Sequence, residues 1–284
     1  MFTKQRVGQL AFVAVACMTT LAAGQIKKEF KYTVGPKASV YINNQYGPVS
    51  VKPSGSNQVI ATATLSSDKV AIDDTKNGDK VQLKSRLAEG AAADVGRVEY
   101  EVQVPADASV TVHSSNGLLH VEQLRGDVTI EADTGQVEVS DISNAHVHIN
   151  TLNGPITLSN VRNGHVEISS VGGDVTLNSV TGPLVTVSST SGKIRYNGDF
   201  GIGGDYRLRS HTGDIEATVP ATASVEVSAR SVRGQVENDF PLQPKQNIPA
   251  LLSEKGRSFM GTAGKAASSV LLRTFSGKIR LKKR

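Results

Sequence analysis

The stretch GPITLSNVRNGHVEISSVGGDVTL, residues 154–177, decides the fold. It holds two copies of one signature, glycine-x-aliphatic-x-apolar, at Gly154-Pro-Ile156-Thr-Leu158 and Gly173-Asp-Val175-Thr-Leu177, 19 residues apart. Between them lies a second alternating segment, His165-Val166-Glu167-Ile168. Alternation with a period of two puts one set of side chains on a buried face and the intervening polar set on the other, which is a strand pattern.

Outward from this stretch the signature recurs. Its glycines are Gly117, Gly135, Gly154, Gly173, Gly192, Gly213 and Gly234, spaced 18, 19, 19, 19, 21 and 21 residues, with a last copy at Gly277-Lys-Ile279-Arg-Leu281. The second series runs Val128/Ile130, Val147/Ile149, Val166/Ile168, Val185/Val187, Tyr206/Leu208 and Val225/Val227, with Val270/Leu272 before the final copy. Three residues before each glycine stands a small residue (Ser114, Ala132, Thr151, Ser170, Ser189, Ser210, Ser231, Thr274), and the opposite corner carries Leu124, Ile142, Val161, Val180 and Phe200. One coil cannot bury its apolar pairs alone, whereas a stack of coils builds one core. The pattern predicts an all-β chain, a parallel β-solenoid with two short strands per coil of about 19 residues and about seven coils. An antiparallel sandwich also has short alternating strands, but it does not call for a fixed period with two chemically distinct corners. Glycine at the small corner is expected to supply positive φ for a tight turn.

The array has flanks of a different kind. Residues 25–104 read as an N-terminal β cap region with the first coils: Tyr46–Val51 resembles one repeat unit, Asp73–Asp79 reads as a turn, Glu89–Gly96 as an alanine-rich loop, and Val98–Val104 alternates into the array. The solenoid proper spans 105–284, with a loop insertion near 241–267, where Pro241, Pro244 and Pro249 break the period. Residues 1–24 read as an export signal: Lys4 and Arg6, an apolar run from Val7 to Ala16, and a small-residue cleavage site at Ala22-Ala23-Gly24. The only cysteine, Cys17, ends a loose lipobox, Ala14-Val15-Ala16-Cys17, which lacks the large aliphatic residue three places before the cysteine. Two readings stand: release as a soluble exported protein in the periplasm or at the cell surface, or membrane anchorage through a lipidated Cys17. In the first, the mature chain has no thiol and no disulfide supports the fold. No transmembrane span is expected in the mature chain.

The exported part carries 29 basic and 26 acidic residues, a net +3, too mild and too dispersed for nucleic-acid binding. No phosphate-binding glycine loop or other cofactor motif is present. One metal candidate arises from the repeat. His146 and His148 flank Val147 and face outward, and one coil later His165 and Glu167 take the same positions, with Asp127 beside His146 on the preceding coil. Three imidazoles and a carboxylate are a donor set for zinc or copper; the alternative is a solvated polar face. A basic C-terminal edge, Arg273, Lys278, Arg280, Lys282, Lys283 and Arg284, suits anionic lipid phosphate, or else protects a terminal strand. Glu216 and Glu237 fall one coil apart in the series, the nearest thing to a catalytic carboxylate pair, but on flat strand faces and in a chain without tryptophan to stack a sugar. No catalytic residues are assigned.

The Val102-Gln-Val104-Pro105 lead-in, the Asn116-Gly117, Asn153-Gly154, Ser191-Gly192 and Ser276-Gly277 turns, and the closing segment Leu272–Leu281 together resemble the bacterial family of proposed adhesin domains known as DUF4097, over roughly residues 40–284. The resemblance implies a β-solenoid and carries over no catalytic residues. The expected function is that of a non-enzymatic exported cell-envelope protein, an adhesin-like or scaffold module whose partner is an envelope protein, glycan or lipid surface. An envelope stress sensor or regulatory binding partner is the alternative, and a glycan-active β-helix enzyme a third.

Overall fold

The computed structural model describes residues 26–240, 242–244 and 256–284. The export signal, Cys17 with its lipobox, Pro241 and Pro249 lie outside the described residues. The rest is a parallel β-solenoid, as the 19-residue period predicts. Each coil is a rung of two strands, a leading strand in one 13-stranded sheet (sheet 1) and a trailing strand in one 12-stranded sheet (sheet 2). The repeat register is in phase: Val147 pairs with Val166, Val166 with Val185, and Val185 with Tyr206 along sheet 1. In sheet 2, Ile156 pairs with Val175 and Val175 with Ile194. The inward members of these pairs and the corner residues Leu124, Ile142, Val161 and Val180 are fully buried. Each such aliphatic side chain contributes about 1.5–3 kcal/mol, so the core is a continuous ribbon between the two sheets, with no disulfide required.

The described chain builds ten rungs, two within the N-terminal region and eight from residue 109 on, where about seven coils beyond that region were expected. In spatial order, rung I is residues 80–104, II 39–53, III 109–122, IV 128–140, V 146–159, VI 165–178, VII 184–197, VIII 205–219, IX 268–283 and X 225–238. The order departs from the sequence at both ends. Rung II precedes rung I in the chain, and rung IX, last in the chain, is inserted between VIII and X: Ser268–Thr274 pairs in parallel with both Asp205–Ser210 and Val225–Ser231. Ile279–Lys283 likewise lies between Ile215–Val219 and Val236–Asn238. The C-terminal strand is therefore internal, and the expected role of its basic residues as guards of an exposed edge is overturned.

The glycine series records the same order. A Cβ placed on Gly154, Gly173, Gly192 or Gly213 would lie 1.7–2.0 Å from the carbonyl oxygen of the glycine one rung before. The same relation runs from Gly277 to Gly213 and from Gly234 to Gly277, each at 2.1 Å. Glycine is required because backbones of neighbouring rungs touch there. Positive φ, the reason expected from sequence, holds at Gly135 and Gly154 but not at Gly173, Gly192, Gly213, Gly234 or Gly277. The left-handed turn lies at the opposite corner, on the residue before the buried aliphatic: Gln123, Asp141, Asn160 and Ser179 have φ of 55–58°. Asp and Asn tolerate that region because their short polar side chains bond locally; the Asn160 amide donates to Asp141 of the previous rung at 3.1 Å.

From Ser170 onward the small-residue corner is explained by hydrogen bonding. Ser170, Ser189, Ser210, Ser231 and Thr274 each accept the N–H of the glycine three residues on, at 2.9–3.1 Å. Several also donate to a glycine carbonyl of the neighbouring rung: Ser210 to Gly192, Thr274 to Gly213 and Ser231 to Gly277. These buried hydroxyls satisfy backbone groups that the turn would otherwise strand.

Antiparallel strands cover both sheets at the rung I end and sheet 1 at the rung X end. Gln58–Leu65 lies on Val98–Val104 and carries Ile26–Thr33 outside it; Val70–Asn77 lies on Lys80–Leu87. Most of the Asp73–Asp79 segment expected to be a turn is thus strand, and the turn is at Gly78. At the other end Ser258–Ala263, in the stretch expected to be loop, pairs antiparallel with Val225–Ser231. A parallel stack otherwise ends in an open edge that recruits other chains; reversing the strand direction breaks the repeat there.

Candidate functional site: the outer faces of the stack

Because inward positions are all committed to the core, chemistry is confined to the two outer faces. On sheet 2 one column reads Arg195, Glu216, Arg280, Glu237 across rungs VII to X. Its signs alternate. Lys282 donates to Glu216 at 3.0 Å, and Arg280 reaches Glu237 at 3.2 Å and Glu216 at 3.9 Å. Lys278 also pairs with Glu237. The bond from Lys282, helped by Lys193 and Arg280, holds the Glu216 carboxyl below the usual carboxylate range. Lys278 first, then Arg280, lower Glu237 in the same way. Glu216 and Glu237 are two rungs apart with Arg280 between them, so the adjacency expected from the series is overturned by the inserted rung. Two ionised, cation-bound carboxylates are the opposite of the raised-pKa acid that glycoside cleavage uses.

Sheet 1 carries the histidines. His113, His146, His148 and His165 project from its leading strands, and His211 follows the strand of rung VIII; only His120, of the six in the chain, is on sheet 2. His146 and His165 are register partners with ring centroids 4.9 Å apart, and His148 faces Glu167, Nδ1 to carboxylate at 3.6 Å. The sequence therefore placed these four correctly on two adjacent rungs. Asp127 is used otherwise: its carboxylate accepts the backbone N–H of His146 at 2.9 Å. The four residues form two side-by-side pairs, and among the described residues no group of three or more His, Cys, Asp or Glu converges on a point that could hold a metal ion.

At the glycine-side corner of the same sheet runs a shallow groove of about 630 Å³, lined by Asn43, His113, Glu131, Asn150, Leu152 and Val171 among others. Leu152 and Val171 stand on its rim with 58% and 50% of their surface exposed. Further along, Phe275 lies between the His211 ring, stacked at 5.0 Å, and the Arg233 guanidinium, 4.8 Å from its centroid. Beside this stack, Arg209, Arg273 and Arg230 are successive register partners on rungs VIII, IX and X. Sequence reading did not single out this row, although all three arginines stand four residues before a series glycine. The signal was the column, one arginine at the same position of three successive copies, and the inserted rung sets Arg273 in its middle.

Ten rungs of parallel strands with glycine and serine ladders define a protein of the β-solenoid class. The chain matches the Toastrack DUF4097 family model over residues 38–282 and belongs to that family. No protein of curated function matches it. Among solved structures it is similar to a proposed adhesin from Bacteroides fragilis, at 11% identity and TM-score 0.48, over 90% of this chain and 96% of that one. A proposed cell adhesion protein from Clostridium sporogenes matches at 12% identity and TM-score 0.33, over 91% and 100% of the two chains. A proposed adhesin from Parabacteroides merdae matches at 14% identity and TM-score 0.35, over 90% and 96%. Among the described residues no helix is long and apolar enough to cross a membrane.

Proposed function

We propose that this chain is an exported, non-enzymatic interaction module of the cell envelope, adhesin-like in architecture, which docks partners on the outer face of sheet 1. The observation that carries the reading is the contrast between the two faces. Sheet 2 pairs its cations with carboxylates in place around the Arg195–Glu216–Arg280–Glu237 column, whereas sheet 1 leaves a polar groove, two exposed aliphatic side chains and a row of arginines without carboxylate partners on one side of the molecule. A rigid flat face with unmatched groups suits binding more than chemistry. The neutralised Glu216 and Glu237 support the non-enzymatic reading. The family assignment agrees with it without adding a catalytic residue.

The test is site-specific photo-crosslinking on intact cells. A photoreactive side chain at Leu152 or Ser188, on sheet 1, should yield discrete adducts with envelope components. The same group at Thr157 or Thr176, on sheet 2, should yield few. Equal labelling from both faces, or adducts from sheet 2 alone, contradicts the proposal.

A further inference from the structure

Directly opposed like charges on neighbouring strands are destabilising, and the usual remedy is an opposite charge in the next strand. Rung IX follows this remedy on sheet 2 and violates it on sheet 1. Its Arg280 enters between Glu216 and Glu237, but its Arg273 enters between Arg209 and Arg230. Three guanidinium groups therefore stand in a line along the solenoid axis, about 4.8 Å apart at the backbone. All three residues are exposed. The nearest carboxylate on rung VIII, Asp205, is taken by Arg207, and Glu226 of rung X lies four residues from Arg230 in the chain and has its own partner. None of the three arginines pairs with a carboxylate among the described residues. A local rule broken on an otherwise consistent scaffold marks a functional surface.

The row also has a direction and a continuation. Arg273 and Arg230, with Val232 and Thr274, line a small cleft. On the other side, the column of Arg209 continues as Ser188, Ser169 and Asn150, register neighbours on rungs VII, VI and V. The last two line the polar groove. Cations in file followed by hydroxyl and amide groups in file match a long, narrow ligand that bears both acidic groups and hydroxyls. Guanidinium groups bind carboxylate, sulfate or phosphate oxygens through paired N–H donors. Both faces of Phe275 are covered by His211 and Arg233, so the ring orders the corner and does not stack a ligand. A membrane surface, in contrast, is met by a broad basic patch with apolar wedges, and this row is one residue wide.

We infer that Arg209, Arg273 and Arg230 form the anchoring site for an extended anionic polysaccharide laid along the stack, with Ser188, Ser169 and Asn150 meeting its hydroxyls. The inference rests on the docking-face reading above and adds the chemistry of the partner.

The probe is a fluorescent, size-defined heparin octasaccharide, titrated by anisotropy against residues 25–284 at low ionic strength. Wild type should bind, with affinity falling as salt rises. The triple variant Arg209→Gln/Arg273→Gln/Arg230→Gln should lose about tenfold or more, roughly a factor of two to three per guanidinium, in keeping with exposed charge pairs. Its melting temperature should hold or rise, because mutual repulsion is relieved. A control removing three positive charges elsewhere, Lys27→Gln/Lys28→Gln/Lys31→Gln, should bind like wild type. Equal loss in the control means that only net charge matters and overturns the site; so does unchanged binding by the triple arginine variant. Binding to phosphatidylglycerol vesicles that depends on these arginines, without octasaccharide binding, also overturns it in favour of a membrane. If wild type binds no octasaccharide while sheet 1 still crosslinks an envelope protein, the inference fails and the docking-face reading stands.

Discussion

Truncation after residue 267 is expected to release rung X from the array. Val225–Ser231 pairs only with Ser268–Thr274 and Ser258–Ala263 among the described residues, and Val236–Asn238 only with Ile279–Lys283. Deleting residues 268–284 removes the layer that joins rung X to rung VIII and the buried Val270, Leu272, Ile279 and Leu281. At about 1.5–3 kcal/mol each, those four side chains amount to about 6–12 kcal/mol, an upper figure because part of this burial survives in the unfolded chain. Rung X cannot simply slide inward to close the gap. In that register Glu216 would face Glu237 with no Arg280 between them, two like charges directly opposed. In a repeat protein the loss stays near the lesion. Limited proteolysis should therefore cut the truncated protein between residues 220 and 263 while residues 109–219 stay protected. Full protection of 225–238 in the truncated protein would show that rung IX is dispensable.

The second large effect is at the glycine ladder. Gly173→Ala would set a methyl group 1.7 Å from the Gly154 carbonyl oxygen, and the three nearest atoms are all backbone of Gly154, with no flexible side chain to yield. Relief requires the rungs to separate locally, which strains the ladder bonds on either side. Overpacking a core ordinarily costs about 1–3 kcal/mol; a backbone clash belongs at the top of that range or beyond it. For a chain of this size that is a fall in Tm of about 6–12 °C. Gly203→Ala is the informative control. Gly203 has φ +77° but open space around it, so it pays only left-handed strain of about 1–2 kcal/mol. Thermal melts should rank Gly173→Ala well below Gly203→Ala. The reverse ranking would mean that turn conformation, not rung contact, selects glycine.

The fold was legible because period and alternation are local properties of the chain. The Gly-x-Ile/Val-x-Leu signature, the small corner and the aliphatic corner each fix one position in the coil, and His146, His148, His165 and Glu167 fell where counting by 19 placed them. Rung order was not legible. A period states which residues share a column but not which coil lies next to which, and rungs VIII, IX and X are similar enough in pattern to be shuffled without altering it. The adjacency of Glu216 and Glu237 and the exposed C-terminal edge were both misread for this reason. The arginine row was missed because Arg273 lies beyond the interruption of the period, 43 residues from Arg230 and 64 from Arg209 in the chain. The charges themselves carried the missing information: Glu216, Arg280 and Glu237 alternate only in the inserted order. The role of glycine was misjudged because sequence shows the residue type but not which of its two freedoms, conformational or steric, is in use.

The inserted rung underlies the alternating column on sheet 2 and sets Arg273 between Arg209 and Arg230 on sheet 1, and disulfide trapping tests it directly. A protein of residues 25–284 has no cysteine of its own. Arg207, Leu271 and Ser228 occupy one outward column, with Leu271 the register partner of each of the other two. Adjacent parallel strands place such residues about 4.8 Å apart, within disulfide reach, and strands two rungs apart about 9.6 Å, beyond it. Under mild oxidation the pairs Arg207→Cys/Leu271→Cys and Ser228→Cys/Leu271→Cys should both crosslink within the monomer, and Arg207→Cys/Ser228→Cys should not. Efficient crosslinking of the 207/228 pair, with none between positions 207 and 271, would place the rungs in chain order and contradict the inserted rung.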